Sequence, residues 1–289
     1  MERRHVIQIT DLHLSAERAY SYPGWRACLA HINRERPDFV AVTGDLVLDD
    51  PDHDPDHAFV RAELARIEVP WAALPGNHDL GDSGPEPYMD QWVTQERRGR
   101  YLSHHAADRW VHELGRWRLI GVNAQLLGSG LAAEAEQHAW LEQRLAEGRG
   151  RPLALFLHKP LFIHGHDEED RPGWCVTRKG REAFLGLIRQ ANVRLVASGH
   201  AHHYRTLAVD GMSMVWAPST AQVMRRASAP FRAVSEPGVV HYWFEDDKVE
   251  FCLVKPEGLA ANDISDLVER HGAMRYAPGR PAIEVSASE

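Results

Sequence analysis

Val193-Arg194-Leu195-Val196-Ala197-Ser198-Gly199-His200-Ala201-His202 is an apolar run that ends on a glycine and two histidines. The run reads as a buried strand. Two imidazoles one residue apart at its end can hold a metal ion if the backbone turns there, a turn that Gly199 permits. Alone, such a pair is more often a surface feature than a metal site. Four upstream stretches of the same form reverse that reading. Asp11-Leu12-His13 follows the run His5–Thr10, Gly44-Asp45 follows Phe39–Thr43, Gly76-Asn77-His78-Asp79 follows Trp71–Leu74, and His158 follows Leu153–Leu157. Helical patterns lie between these runs, at Trp25–Arg36, Ala58–Ile67, Glu134–Glu147 and Gly180–Gln190. The intervals, 34 residues from Asp11 to Asp45 and 32 from Asp45 to Asn77, each hold one helix and one strand, the length of a βαβ step. The pattern predicts an α/β fold whose functional residues gather at the carboxyl ends of strands.

Composition narrows the class. The chain has 289 residues, 44% hydrophobic and 26% charged, enough for one large domain or two small ones. No run of about 18 apolar residues is present, so no membrane partner is expected. The first residues, Met1-Glu2-Arg3-Arg4-His5, lead straight into a strand without an apolar signal segment, and Cys28, Cys175 and Cys252 are scattered. Both features predict a cytoplasmic protein with no thiolate zinc site. A net charge of −8 argues against duplex nucleic acid as a partner. A small anionic substrate stays compatible, because bound cations can dominate the local field.

The candidate site residues have chemistry suited to hard and borderline cations. Alternation by two along an extended segment puts Asp11 and His13 on one side. Asp45, next to a glycine that lets backbone approach closely, can bridge two cations with its two oxygens. Asn77 offers an amide oxygen, and its neighbour His78 points off the metal, free for proton transfer or for hydrogen bonding to a substrate oxygen. Asp49 lies close enough in sequence to Asp45 to support the site, whereas His53 and His57 read as parts of a solvated acidic loop. His164 and His166, in a polar loop beside the site, are candidate substrate contacts.

The rest of the chain is less informative. Residues 81–116 read either as a lid or as a long connection with a short helix around Met89–Gln95. Tyr204–Val209 and Met212–Trp216 flank Asp210-Gly211, and Val239–Phe244 and Val249–Val254 flank Asp246-Asp247-Lys248. Both are hairpin signals and suggest two packed sheets. The organisation expected is one domain over 1–255 with variable loops at 81–116 and 163–178. Residues 256–289 then form a tail or an arm for a homo-oligomer.

Taken in order, Asp11-x-His13, Gly44-Asp45, Gly76-Asn77-His78-Asp79, His158 and Gly199-His200-x-His202 resemble the full signature of the calcineurin-like binuclear metallophosphoesterases. Ile9-Thr10-Asp11-Leu12-His13-Leu14, Leu74-Pro75-Gly76-Asn77-His78-Asp79 and Ala217-Pro218-Ser219-Thr220 are most similar to the bacterial class III cyclic-nucleotide phosphodiesterases. The resemblance spans roughly residues 5 to 220. Protein Ser/Thr phosphatases carry an Arg where this chain has Leu48-Asp49-Asp50. Purple acid phosphatases lack the His matching His13, and lipid A precursor hydrolases have Arg in place of His78.

The resemblance implies a four-layer αββα sandwich of two mixed sheets flanked by helices. It implies two divalent or trivalent ions (Mn, Fe, Zn or Co), one held by Asp11, His13, Asp45 and His202 and one by Asp45, Asn77, His158 and His200. It implies hydrolysis of a small-molecule phosphate ester by a water activated between them. His78 would act on the leaving oxygen, with Asp49 or Asp79 orienting it. A 3′,5′-cyclic nucleotide is the substrate the resemblance suggests. Glycerophosphodiesters, nucleotide pyrophosphates, phosphomonoesters and organophosphates are the alternatives. A non-catalytic scaffold would show substituted ligand positions, and none of the seven is substituted. One departure stands out: many relatives have a second His where this chain has Lys159. It reads either as a solvated side chain or as a cation beside the substrate phosphate.

Overall fold

A computed structural model describes residues 3–85, 87, 90–171, 173–224, 233–260 and 262–271. The first half runs β1 (Arg4–Ile9), α1 (Tyr22–Glu35), β2 (Phe39–Thr43), α2 (Asp54–Leu64), β3 (Trp71–Leu74), α3 (Asn77–Leu80) and α4 (Gln95–His105). It continues with β4 (Trp110–Leu114), β5 (Trp117–Gly121), α5 (Ala132–Glu147), β6 (Leu153–Phe156), α6 (Arg178–Ile188) and β7 (Val193–Ser198). The chain closes with β8 (Arg205–Val209), β9 (Met212–Trp216), β10 (Gln222–Val223), β11 (Val239–Glu245), β12 (Lys248–Val254), β13 (Asn262–Asp263) and α7 (Ile264–His271).

Two mixed sheets carry the molecule. One has the order β12-β11-β1-β2-β3 and the other β4-β5-β6-β7-β9-β8. Strands β1, β2 and β3 are mutually parallel, as are β5, β6, β7 and β9. The period of two in β1 shows how the layers form. Val6 faces the second sheet, in a core with Phe39, Ala41, Phe156, Leu195, Val215 and Tyr242. Ile7 and Ile9 face the other way, onto Trp25, Cys28 and Ile32 of α1 and Val60 and Leu64 of α2. On the far side, Leu141 and Leu145 of α5 and Phe184 and Ile188 of α6 cover Leu155 and Val196 of the second sheet. The result is the expected helix–sheet–sheet–helix sandwich.

Two expected hairpins form, but in different sheets. Asp210 and Gly211 both have positive φ (51° and 78°), as a two-residue type I′ turn between β8 and β9 requires. The second hairpin turns on Asp246-Asp247 alone, because Lys248 already pairs with Glu245, and its β11 inserts beside β1.

Several boundaries differ from the sequence reading. His57 is not part of a solvated loop. Asp54-Pro55 starts α2, and His57 is fully buried with its Nε2 donating to the Pro51 carbonyl. Within 81–116, the expected helix at Met89–Gln95 is not where the helix lies. Met89 is outside the described residues, and α4 begins only at Gln95, capped by the Thr94 hydroxyl. In the segment read as a tail, β13 pairs with β10, Asn262 donates to the Tyr20 carbonyl, and Leu267 is buried against Leu48.

Between the sheets, directly beneath the carboxyl ends, lies one polar node. Gln8 donates to Thr43 Oγ1 at 2.8 Å and to the Ser198 carbonyl at 3.2 Å, and accepts from the Tyr242 hydroxyl at 2.7 Å. It ties the ends of β1, β2, β7 and β11 together with both ends of its amide satisfied.

Candidate metal centre

The parallel strands of both sheets deliver their next residues to one place. Asp11 and His13 follow β1, Asp45 follows β2, Asn77 follows β3, His158 follows β6, and His200 and His202 follow β7. Side chains of Asp11, His13, Asp45 and His202 converge with ligand atoms within 4.8 Å of one another, and so do those of Asp45, His158 and His200. Asp45 belongs to both groups. Its Oδ1 lies 3.3 Å from His158 Nε2, and its Oδ2 lies 3.9 Å from His13 Nε2. Asn77 Oδ1 adds a donor 3.2 Å from His158 Nε2.

The backbone that aims these groups is strained. Asp11, His13, Asp45, His200 and His202 all have φ between 45° and 69°, the left-handed region that non-glycine residues avoid. Asp11 and His13 therefore converge through two left-handed turns in a loop, not through strand alternation. Gly199 does not make the turn at the His pair, since the positive φ falls on the histidines themselves. Its need is space: a Cβ there would lie 2.0 Å from Thr10 Oγ1 and 2.8 Å from Asp11 Oδ2. Gly44 is different, with φ of 92° and a Cβ direction blocked by His158 Nδ1 at 2.6 Å.

Hydrogen bonds fix which nitrogen faces inward in three of the imidazoles. A carbonyl only accepts, so His13 Nδ1 donates to Leu48 O (3.1 Å), His158 Nδ1 to Thr43 O (2.7 Å) and His200 Nε2 to Gly173 O (2.7 Å). The opposite nitrogens, His13 Nε2, His158 Nε2 and His200 Nδ1, face into the cluster, where each is a ligand atom once it carries no proton. There, His13 Nε2 and His202 Nε2 face each other at 3.2 Å, and Asp11 Oδ1 makes no hydrogen bond among the described residues. His202 Nε2 also lies 3.3 Å from Asp11 Oδ1, and so many nitrogen and oxygen ligand atoms pointed at one buried place suit a bound cation. Burial, with His78 beside it, lowers the His13 pKa to about 3, and burial with His158 lowers that of His200 to about 4. Burial opposes ionisation of Asp11, yet His202 draws its carboxyl down to about 2. Burial would also lower His158, but the Asp45 carboxylate outweighs it and raises that imidazole to about 9. Mixed nitrogen and oxygen donors without thiolate fit Mn, Fe, Zn or Co.

Around the cluster is a cavity of about 360 Å³ lined by His13, Asp45, Asn77, His78, Asp82 and Trp174, among others. The backbone N–H of His78 donates to Asp45 Oδ1 at 2.9 Å, and its Nε2 lies 3.8 Å from Asp45 Oδ2. Asp79 does not reach toward the His78 ring. Its carboxylate accepts from the amides of Leu46, Val47 and Gly76 and so clamps two ligand loops together. Burial and then Asp45 raise its pKa to about 7. Asp49 is buried, 3.6 Å from the Arg18 guanidinium.

The substrate candidates fare differently. Lys159 does not point to solvent. It is 2% exposed, and its ammonium donates to both oxygens of Asp82, at 2.6 and 2.8 Å. His164 is exposed on the surface, and His166 lines a separate hollow with Asp210 and Met212. Neither is brought to the metal-ligand cluster. Sequence reasoning passed over Asp82, Trp174, Gln222, Met224 and Ile264, all lining the cavity. They sit in loops or short elements where no periodicity marks them.

A family model for calcineurin-like phosphoesterases matches residues 4–204. The chain belongs to the calcineurin-like phosphoesterase family. It is therefore a phosphoester hydrolase of a binuclear, metal-dependent type. A probable glycerophosphodiester phosphodiesterase, GpdQ, from Arcobacter nitrofigilis is 25% identical over 256 residues, covering 83% of this chain and 89% of that protein. The 3′,5′-cyclic adenosine monophosphate phosphodiesterase CpdA of Escherichia coli K12 is 26% identical over 227 residues, covering 75% of this chain and 76% of that one. Purple acid phosphatase PPD1 from yellow lupin seeds shares the fold, with a TM-score of 0.64 at 16% identity over 92% of this phosphoesterase and 55% of that chain. Among the described residues no helix is long and apolar enough to cross a membrane.

Proposed function

We propose that this phosphoesterase hydrolyses small phosphodiesters, with a 3′,5′-cyclic nucleotide as the preferred class and glycerophosphodiesters as the alternative. The observation that carries the reading is the shared position of Asp45, one oxygen facing the His158 group and the other the His13 group. Asp11, His13, Asp45 and His202 would hold one ion, and Asp45, Asn77, His158 and His200 the other. Bound there, the ions supply Lewis acidity and a water of lowered pKa. In the overall reaction a bond forms from water oxygen to phosphorus, the bond to the leaving alcohol breaks, and the water's proton ends on that alcohol.

The chain's own residues position this chemistry. Burial lowers the His78 pKa, so the ring is neutral near pH 7. A neutral His78 can hold a proton at Nε2, on the cavity side, and hydrogen-bond the leaving oxygen. Asp79 is engaged by backbone amides and so holds the Asp45 and Asn77 loops, and Asp49, buried beside Arg18, remains the carboxylate proposed to support His78 from its closeness in sequence to Asp45. His200 keeps its inward nitrogen free through its bond to Gly173, a support of the kind that typically matters 10–100-fold in metal affinity.

The test is a substrate panel with added Mn²⁺: 3′,5′-cAMP, 2′,3′-cAMP, a glycerophosphodiester, a nucleotide pyrophosphate and mono- and bis(p-nitrophenyl) phosphate. Diester turnover exceeding monoester turnover is expected, with 3′,5′-cAMP foremost. Asp45→Ala is expected to lower bound metal, measured by elemental analysis, and to reduce diester turnover by about 100-fold or more. Wild-type metal content and turnover in that variant would overturn the site assignment.

A further inference from the structure

The cavity has two unlike sides. One is the ligand cluster. The other is built by Trp174, Met224 and Ile264, which come from three separate segments. Trp174 stands in the 163–178 loop and packs on Ile163, Cys175, Ala201 and Trp216. Met224 follows β10, and Ile264 opens α7, held in place because β13 pairs with β10. Ile264 offers a polyol no hydrogen-bonding group, Met224 only a weak thioether acceptor and Trp174 only its indole N–H, while Asp82, the acidic neighbour, is already paired with Lys159 and Gln222 is buried. A large indole beside a thioether and a branched alkyl group is a surface for a flat apolar ring, since aromatic faces stack and sulfur packs favourably against them. The wall is also fixed relative to the reacting centre, because Gly173, the residue before Trp174, accepts the hydrogen bond of His200.

We propose that Trp174, Met224 and Ile264 form the subsite for the group that stays on phosphorus, and that this group is a flat aromatic or heteroaromatic ring, such as a nucleobase, rather than glycerol. The proposal rests on the diester-hydrolase reading and deepens it. It makes the C-terminal segment, through Ile264, part of the substrate site.

The test uses two diesters with one leaving group, the p-nitrophenyl esters of thymidine 5′-phosphate and of methyl phosphate, assayed on the full chain with Mn²⁺. The readout is the ratio of their kcat/KM values, in which the folded fraction cancels. Wild-type enzyme is expected to favour the thymidine ester. Trp174→Ala is expected to cut that ratio by about tenfold, mainly through KM, whereas Trp174→Phe keeps most of it, as a stacking role requires. Met224→Ala, expected to lower the ratio in the same direction, serves if Trp174→Ala is inactive. A wild-type ratio near one, or ratios unchanged in Trp174→Ala and Met224→Ala, would overturn the subsite. Turnover of neither ester by wild-type enzyme would instead overturn the diester-hydrolase reading itself.

Discussion

At the scale of single residues, the site is built against local preference. Five metal-ligand candidates sit in the left-handed region, at a cost of about 1 kcal/mol or more each. The surrounding packing must hold them there, and the Asp79 clamp on Leu46, Val47 and Gly76 is one visible means. Lys159 is a second residue whose surroundings decide its effect. With Asp82 it forms an ion pair in which both side chains are 2% exposed. Removing one partner leaves a buried charge alone, so Lys159→Met is expected to lower unfolding free energy by about 3–5 kcal/mol. Pairing it with Asp82→Asn should restore much of that. Equal destabilisation of the single and double variants in urea titrations would show that the pair is not what holds this wall. The candidate ligand residues that the structure brings together were legible in the sequence because each follows an apolar run. The Lys159–Asp82 pair was not, since no local pattern links residues 77 positions apart.

At the scale of elements, a chain of three histidines joins α1 to the first sheet. Arg34 on α1 donates to His31 Nδ1, which leaves His31 Nε2–H to donate to His241 Nε2 at 2.9 Å. His241 Nδ1–H then donates to His5 Nε2, also at 2.9 Å. Every nitrogen along this path has its role only while His241 is neutral. Burial, then the neighbouring His5 and His31, lower its pKa to about 4, and burial likewise holds His57, under α4, at about 4. The sign follows directly. Between the ordinary histidine value of about 6.5 and about 4, the unfolded chain binds protons that the folded chain refuses, so stability falls as pH falls through that window. From about pH 7.5 to about pH 5 the loss is on the order of 2 kcal/mol for His241. Chemical denaturation at both values checks it, and His241→Gln should lose less over the same interval. An identical loss in that variant would assign the pH dependence to other groups. Helices α1, α5 and α6 were legible from their apolar periodicity. The start of α2 was not, because Asp54-Pro55 reads as loop chemistry although it suits the first turn of a helix.

At the scale of the whole molecule, the candidate metal centre lies at the seam between the two sheets. Asp11, His13, Asp45 and Asn77 come from the sheet of β1, β2 and β3, and His158, His200 and His202 from that of β6 and β7. The two hairpin signals suggested the two-sheet plan, and the resemblance carried by the motifs implied it. Neither could reveal that β11 returns to pair with β1, a contact between residues some 236 positions apart. Because both sheets supply candidate ligands, bound ions would tie the halves of the sandwich together. An ion that binds the folded chain alone stabilises it by about 2.7 kcal/mol at 100 times its Kd. For a chain of this size that is a rise in unfolding temperature on the order of 5 °C. Chelator-stripped protein is therefore expected to unfold at lower temperature, and Mn²⁺, Zn²⁺ or Fe²⁺ to raise the midpoint in a concentration-dependent way. Asp45→Ala, which removes the donor common to both groups, should flatten that dependence even where its fold is intact by circular dichroism. If the midpoint ignores every one of these ions, the two Asp–His groups that share Asp45 are not a cation site. The strain at Asp11, His13, Asp45, His200 and His202 would then need another cause.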